Sequence, residues 1–291
     1  MRDRLVHAVG IAFLLAACTS GPAPRATVAC PNHVQPSAHA GSIYLLLGPV
    51  VNGLPLARLN FQTGCLSLIA PQVATIDTNG RQVVADDVSQ IGVPTIGEVV
   101  NGQLHPVTDP ALRGTMPAIS ADGRIARVVN NYPGYEIDIW DPPTGKDTKL
   151  YETGAQLIRP QWGPHGSILL LRGRGKGTKM VSIDKRGTAH VLFAAPGARW
   201  MDLSSSGLVD VTDYSSKTTV FDLRTAERHV IHGWYGMGWD PGGTRLVLAQ
   251  KSGAVGFSSA PSFKTVSGVL QLPHGFLAGT AWVTQPPTST G

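Results

Sequence analysis

Met116-Pro117-Ala118-Ile119-Ser120-Ala121-Asp122-Gly123, followed at once by the mostly apolar run Arg124 to Val129, is the stretch that decides the fold. Ile119 is a large apolar residue four places before the glycine. Glycine adopts positive φ without steric penalty, so the pattern reads as a strand, a tight polar turn and a returning strand rich in β-branched residues. Four further stretches repeat it: Val73 to Gly80, Arg159 to Gly166, Trp200 to Gly207 and Gly236 to Gly243. Ile76, Trp162, Leu203 and Trp239 stand there in the place of Ile119. The glycines at 80, 123, 166, 207 and 243 are spaced by 43, 43, 41 and 36 residues.

Within each repeat a third strand runs into a second polar turn, at Asn60 to Gly64, Asp141 to Gly145, Asp184 to Gly187 and Asp222 to Ala226, and a short fourth strand follows. Four antiparallel strands per unit of about 40 residues make the blade of a β-propeller. The ends supply the count. Thr280-Ala281-Trp282-Val283 is a first strand with no second, whereas Ser42 to Leu47, Leu54 to Asn60 and Leu66 to Ile69 are second, third and fourth strands with no first. Joining them completes a blade and removes free sheet edges. The expected fold is all-β over residues 42–285. It is a six-bladed β-propeller of four-stranded antiparallel blades, closed by pairing of the C-terminal strand with the N-terminal blade; seven is the competing count. The turn resembles that of TolB-like propellers, which follow a Trp, Ser/Asp, Pro, Asp, Gly pattern. Ser120-Ala121-Asp122-Gly123 and Trp239-Asp240-Pro241-Gly242-Gly243 come nearest, while His165 replaces the acid and Ser204 to Ser206 replace most of the motif. That resemblance implies an interaction module.

Arg2 and Arg4 precede an apolar run from Leu5 to Ala17. The run is shorter than the ~20 apolar residues of a membrane span but suits a signal peptide over residues 1–17. Its end, Leu15-Ala16-Ala17-Cys18, resembles the lipobox of bacterial lipoproteins. This implies a lipid on Cys18 and an exported chain anchored to a membrane rather than spanning it. The surface would be the outer face of the cytoplasmic membrane, or an outer membrane where the cell has one. Residues 18–41, rich in Pro, Ala, Ser and Gly, read as a flexible tether, and 286–291 as a disordered tail. With Cys18 lipidated, Cys30 and Cys65 remain as one even pair in an oxidising compartment, and a disulfide between them is expected. No histidine lies near them at ligand spacing, which argues against zinc. The net charge of +5 falls to +4 once Arg2, Asp3 and Arg4 are removed with the signal peptide, which gives no argument for nucleic-acid binding.

In such a propeller the loops joining second to third strands, and fourth strands to the next blade, emerge on one face. Here they carry Tyr132, Tyr135, Arg172, Arg174, Lys176, Trp200, Tyr214, Trp234 and Tyr235. Exposed aromatic residues and arginine carry binding energy at interfaces, so this face is the candidate surface for a cell-envelope protein or a glycan or anionic ligand. The alternative is that Trp200 and Trp234 pack between blades and that the basic loop is a solvated hairpin. The expected molecule is a monomer, without cofactor or metal. Catalytic motifs fail on context. Gly173-Arg174-Gly175-Lys176-Gly177-Thr178 lacks P-loop spacing and opens no helix. Ser182-Ile183-Asp184-Lys185 lies on a strand and turn, and Gly256-Phe257-Ser258-Ser259-Ala260 misses the last glycine of a nucleophile elbow. His229 and His232, three apart on a strand, point to opposite faces. Asp86-Asp87 and Asp210 with Asp213 read as solvated turns rather than calcium sites. The inner strands offer chiefly Met116, Ile119, Trp162, Leu203, Met237 and Trp239, with Asp202 and Arg159 as exceptions. That composition favours a binding scaffold over a propeller hydrolase, lyase or lactonase acting at the channel mouth.

Overall fold

The five repeat glycines take the backbone conformation that their turns require: Gly80, Gly123, Gly166, Gly207 and Gly243 all have positive φ, between 66° and 87°. Gly123 N–H donates to Ser120 O at 3.0 Å, Gly207 N–H to Ser204 O at 3.1 Å and Gly243 N–H to Asp240 O at 2.8 Å. Each turn therefore closes tightly between two antiparallel strands. The computed structural model describes residues 27–28, 42–48, 53–60, 66–89, 93–271 and 277–283. The sequence expectations for residues 1–17, Cys18, Cys30, Cys65 and the tail 286–291 lie outside them.

Four sheets each hold four consecutive antiparallel strands, over residues 115–153, 157–194, 198–232 and 235–271. An eight-stranded sheet takes in both ends of the chain. Its order is Leu277–Val283, Ser42–Leu47, Leu54–Asn60, Leu66–Thr78, Val83–Asp87, Thr95–Val100 and Gln103–Pro106, with Thr27–Val28 laid on Leu66–Thr78. Two residues of the expected tether are thus paired as strand, Thr27 opposite Ser67 and Val28 opposite Leu66. The 13-residue strand Leu66–Thr78 changes partner along its length. Leu66 to Val73 pair with Leu54–Asn60, and Val73 to Thr78 pair with Val83–Asp87.

The closing contact is the one expected from the half-units at the chain ends. Ile43 lies opposite Trp282, Tyr44 opposite Ala281 and Leu45 opposite Thr280, antiparallel. The inner strands then touch in cyclic order: Leu66–Thr78, Thr115–Ile119, Leu157–Trp162, Ala198–Leu203, Tyr235–Trp239, Leu277–Val283 and back to Leu66–Thr78. The core is divided in the same way, into apolar clusters between neighbouring sheets. One joins Ala118, Ala126 and Ile137 to Leu157, Ile168, Leu170 and Val181 of the next sheet. Another joins Leu169 and Leu171 to Met201 and Val209. Each fully buried Val, Leu or Ile is worth about 1.5–3 kcal/mol, so blade-on-blade burial is the main stabilising term.

Every inner strand carries a register irregularity. Thr115 opposes Val128 while Ala118 opposes Ala126, and similar shifts fall between Val73 and Ile76, Ile158 and Gln161, Ala198 and Trp200, and Gly236 and Gly238. The closing strand shifts opposite Leu46 and Leu47. A bulge of this kind adds one residue and re-aims the side chains beside it. These bulges decide what faces the central channel.

Candidate functional site

At the end of the channel where the glycine turns emerge, a cavity of about 560 Å³ is lined by residues from all of the inner strands. Asp77, Gln161 and Asp202 hold the same place in it, each the last residue but one of its inner strand. Asp77 Oδ2 accepts a hydrogen bond from Ile119 N–H at 2.8 Å. Burial pushes its carboxyl up to about 6; Arg159 and the Ile119 N–H oppose the shift, and Asp202 adds to it. Gln161 is 6 % exposed, and its amide Nε2 makes no hydrogen bond.

The floor is a buried polar network in which Arg159 Nη1 makes no hydrogen bond. Arg159 donates from Nε (3.1 Å) and Nη2 (2.7 Å) to Asp202 Oδ1, and Trp200 Nε1 donates to Asp202 Oδ2 at 2.7 Å. The guanidinium lies 4.3 Å from the Trp200 ring centre, and a Cβ at Gly279 would come within 3.6 Å of the far edge of that indole. Behind it, directly opposite Asp202 on the next strand, is Asp210, with no exposure at all. Burial pushes the Asp210 carboxyl well above the usual range, and Asp202 adds to the shift. Asp86 is also buried, at 1 % exposure. It accepts from the backbone N–H groups of Ala74 (3.1 Å), Thr75 and Met116 (3.1 Å), tying two neighbouring inner strands together. The reading of Asp86 and Asp210 as solvated turn residues is therefore corrected: both strands sit one layer inside the channel wall, where their carboxyls are sealed by the adjoining blade. Asp213 does serve a turn, accepting from Ser215 and Lys217 N–H. Among the described residues no group of three His, Cys, Asp or Glu is placed to hold a metal.

The opposite face carries the aromatic and basic candidates, and the structure divides them. Tyr132 is 95 % exposed and Tyr214 71 % exposed, with the Arg199 guanidinium 4.9 Å from the Tyr214 ring centre. Arg174 and Lys176 are exposed in the loop between them; Arg174 Nε donates to Gln156 Oε1 at 2.6 Å. Arg172 is half-buried, donating from Nη1 to Tyr151 Oη at 2.8 Å. Tyr135 and Trp234 are half-buried against the apolar clusters between sheets. Tyr235, 3 % exposed, is part of the core, and Trp200 belongs to the channel floor. Sequence reasoning passed over Asp77, Gln161 and Arg199. For the first two the signal was a polar residue at the same place, last but one, in an inner strand.

No protein-family profile matches the sequence, and no curated protein matches it. Solved structures do. TolB from Acinetobacter baumannii superimposes with a TM-score of 0.67 at 16 % identity, over 84 % of this chain and 66 % of that one. The fold is a TolB-like β-propeller. A chain of the nidogen/laminin complex gives a TM-score of 0.64 at 12 % identity, over 84 % of this chain and 98 % of that one. A protein from Lactobacillus plantarum gives 0.50 at 11 % identity, over 82 % of each chain. The chain thus spans just under two thirds of the length of TolB, and at such identities the likeness is one of fold.

Proposed function

We propose that the protein is a membrane-anchored, extracytoplasmic binding scaffold, tethered by a lipid on Cys18, whose six-bladed ring docks an acidic partner protein on its aromatic and basic face. The carrying observation is the exposure of Tyr132 and Tyr214 on either side of a run of cations. The two loops between them, residues 172–179 and 194–199, contain Arg172, Arg174, Lys176, Lys179 and Arg199 and no acid. Tyrosine and arginine are the residue types enriched at protein interfaces, and a one-sign patch steers an oppositely charged partner. The nidogen/laminin structure, a complex, supports reading a propeller as a docking surface. The count of six rests on dividing the eight-stranded sheet where Leu66–Thr78 changes partner.

The test is a photo-crosslinking residue placed at Tyr132 or Tyr214 of the full chain in its source cells. It should trap one acidic protein, and Arg174→Glu with Lys176→Glu should remove the product. Equal trapping from Thr144, on the opposite face, or trapping indifferent to the charge reversal, would count against the reading.

One observation favours a second reading, a hydrolase, lyase or lactonase at the channel mouth: the Asp77 carboxyl, pushed up to about 6, is suited to general acid–base work near neutral pH. Its test is hydrolysis of ester, lactone and glycoside substrates by the native chain and by Asp77→Asn; only activity lost with the carboxylate supports it.

A further inference from the structure

A second cavity, of about 890 Å³, opens between the 157–194 and 198–232 sheets, on the face of the glycine turns. Its walls are Leu169, Leu192, Phe193, Phe221 and Leu223. Phe193 and Phe221 stack across the sheet boundary with ring centres 4.1 Å apart, and Leu192 is left 43 % exposed. Other blade boundaries are sealed near this face by an indole from the repeat. Trp162 Nε1 donates to Ala118 O of the preceding sheet at 2.9 Å, and Trp239 Nε1 to Asp202 O at 3.3 Å. At this boundary Leu203 stands in the same place in the repeat, half-buried, with less side chain to fill the gap.

The mouth is charged asymmetrically. Asp184 and Asp222 border it, but one oxygen of each is turned to its own turn. Asp184 Oδ1 accepts from Arg186 N–H at 2.8 Å and Thr188 N–H at 2.9 Å, and Asp222 Oδ1 accepts from Arg224 N–H at 2.8 Å. These bonds hold both carboxyls below the usual range. Lys185 and Arg186 also border the mouth, and among the described residues neither has an ion-pair partner. The Lys185 stem lies over Gly166, where a Cβ would come within 3.0 Å of Cε, so its ammonium is carried along the rim. Apolar walls with a few convergent polar groups, in a volume of this order, are the usual make-up of a small-ligand site.

We infer that this interblade cavity binds a medium-chain fatty carboxylate, its hydrocarbon body against Phe193 and Phe221 and its carboxylate on Lys185 and Arg186. A neutral alkyl group would leave the two cations unused. An alkylammonium would meet those cations and find one oxygen of each acid already held by its turn. The site lies on the face opposite Tyr132 and Tyr214, so it stands or falls apart from the docking surface.

The experiment uses the full chain carrying Cys18→Ser, with anilinonaphthalene sulfonate, itself an apolar anion, as fluorescent reporter and decanoate as competitor. Saturable reporter binding at one site per chain is expected, displaced by decanoate and at least about tenfold less well by decylammonium of the same chain length. Lys185→Glu with Arg186→Glu, and separately Leu192→Asp, should each weaken decanoate about tenfold or more; residues 185 and 186 already carry charge and Leu192 is 43 % exposed, so an unchanged near-ultraviolet circular dichroism spectrum is expected. Lys251→Glu, at an exposed turn outside the cavity, should leave decanoate displacement unchanged. Equal displacement by decylammonium, indifference to the Lys185 and Arg186 reversal, or absence of saturable binding would each overturn the assignment.

Discussion

Arg159 and Asp202 form an ion pair inside the channel, Nη2 to Oδ1 at 2.7 Å, with Arg159 1 % and Asp202 5 % exposed. The two residues lie 43 positions apart, so the pair ties the inner strand of one sheet to that of the next. Withdrawing both charges from water is costly, and the pair offsets that cost only while it is intact. Asp202→Ala, which strands Arg159 and frees the Trp200 N–H, is expected to destabilise the protein by about 3–5 kcal/mol. Arg159→Met with Asp202→Leu should recover most of the loss. Denaturant midpoints of the two variants and the native chain check both statements.

Stability should decline as pH rises through the range set by Asp77. Its folded carboxyl titrates at about 6 against an ordinary value of 3.8, so between these pH values the folded chain holds more protons than the unfolded one. The slope of stability against pH is then negative in that window. Asp86 and Asp210, raised by burial, act with the same sign. Asp77→Asn, which keeps an acceptor for Ile119 N–H, should flatten the slope, as thermal midpoints measured from pH 4 to pH 7 would show.

Tyr235 and Tyr132 should respond in opposite ways to the same substitution. Tyr235→Ala empties a place in the core and should cost about 3–5 kcal/mol, the range of buried aromatic truncations. Tyr132→Ala and Tyr214→Ala should stay within about 0.5 kcal/mol, because their rings leave little behind. Urea unfolding separates the two outcomes. Loss of partner trapping in the last two variants alone would then report on docking rather than on folding.

A disulfide between Cys30 and Cys65 is our proposal, resting on the even pair of cysteines that remains once Cys18 carries a lipid. On the chain-entropy account, closing a loop of about 36 residues is worth ~3–4 kcal/mol. Non-reducing peptide mass mapping of the native chain should recover the cross-linked pair, and Cys30→Ser should lower the thermal midpoint. Free alkylation of both thiols in the native chain would refute it.

The glycine turns made the ring legible in the sequence because a tight turn needs positive φ at a fixed place, and that need repeats with each blade. The half-units at the chain ends were legible because an unpaired inner strand and a blade lacking one are complementary. Side-chain direction was harder to read. Trp200 follows the bulge at Ala198 and turns into the channel to meet Asp202, although it stands near the start of its strand. Tyr235 is the first residue of a strand rather than the last of a loop, and a one-residue difference of that kind moves a side chain from solvent to core. Asp77 and Gln161 reach the cavity only because sheets far apart in sequence bring the ends of their inner strands together.

The ring closure is tested most directly by Leu45→Cys with Thr280→Cys, directly opposed in the register of the chain-end strands, in a background with Cys18, Cys30 and Cys65 replaced by Ser. Opposed residues of an antiparallel pair lie about 4.5–5.5 Å apart at Cα, within disulfide reach. Mild oxidation should give an intramolecular cross-link in nearly every monomer, seen as a mobility shift reversed by reductant. Thiols that stay free, or that link only between chains, would contradict the closed ring and the assignment of the two faces with it.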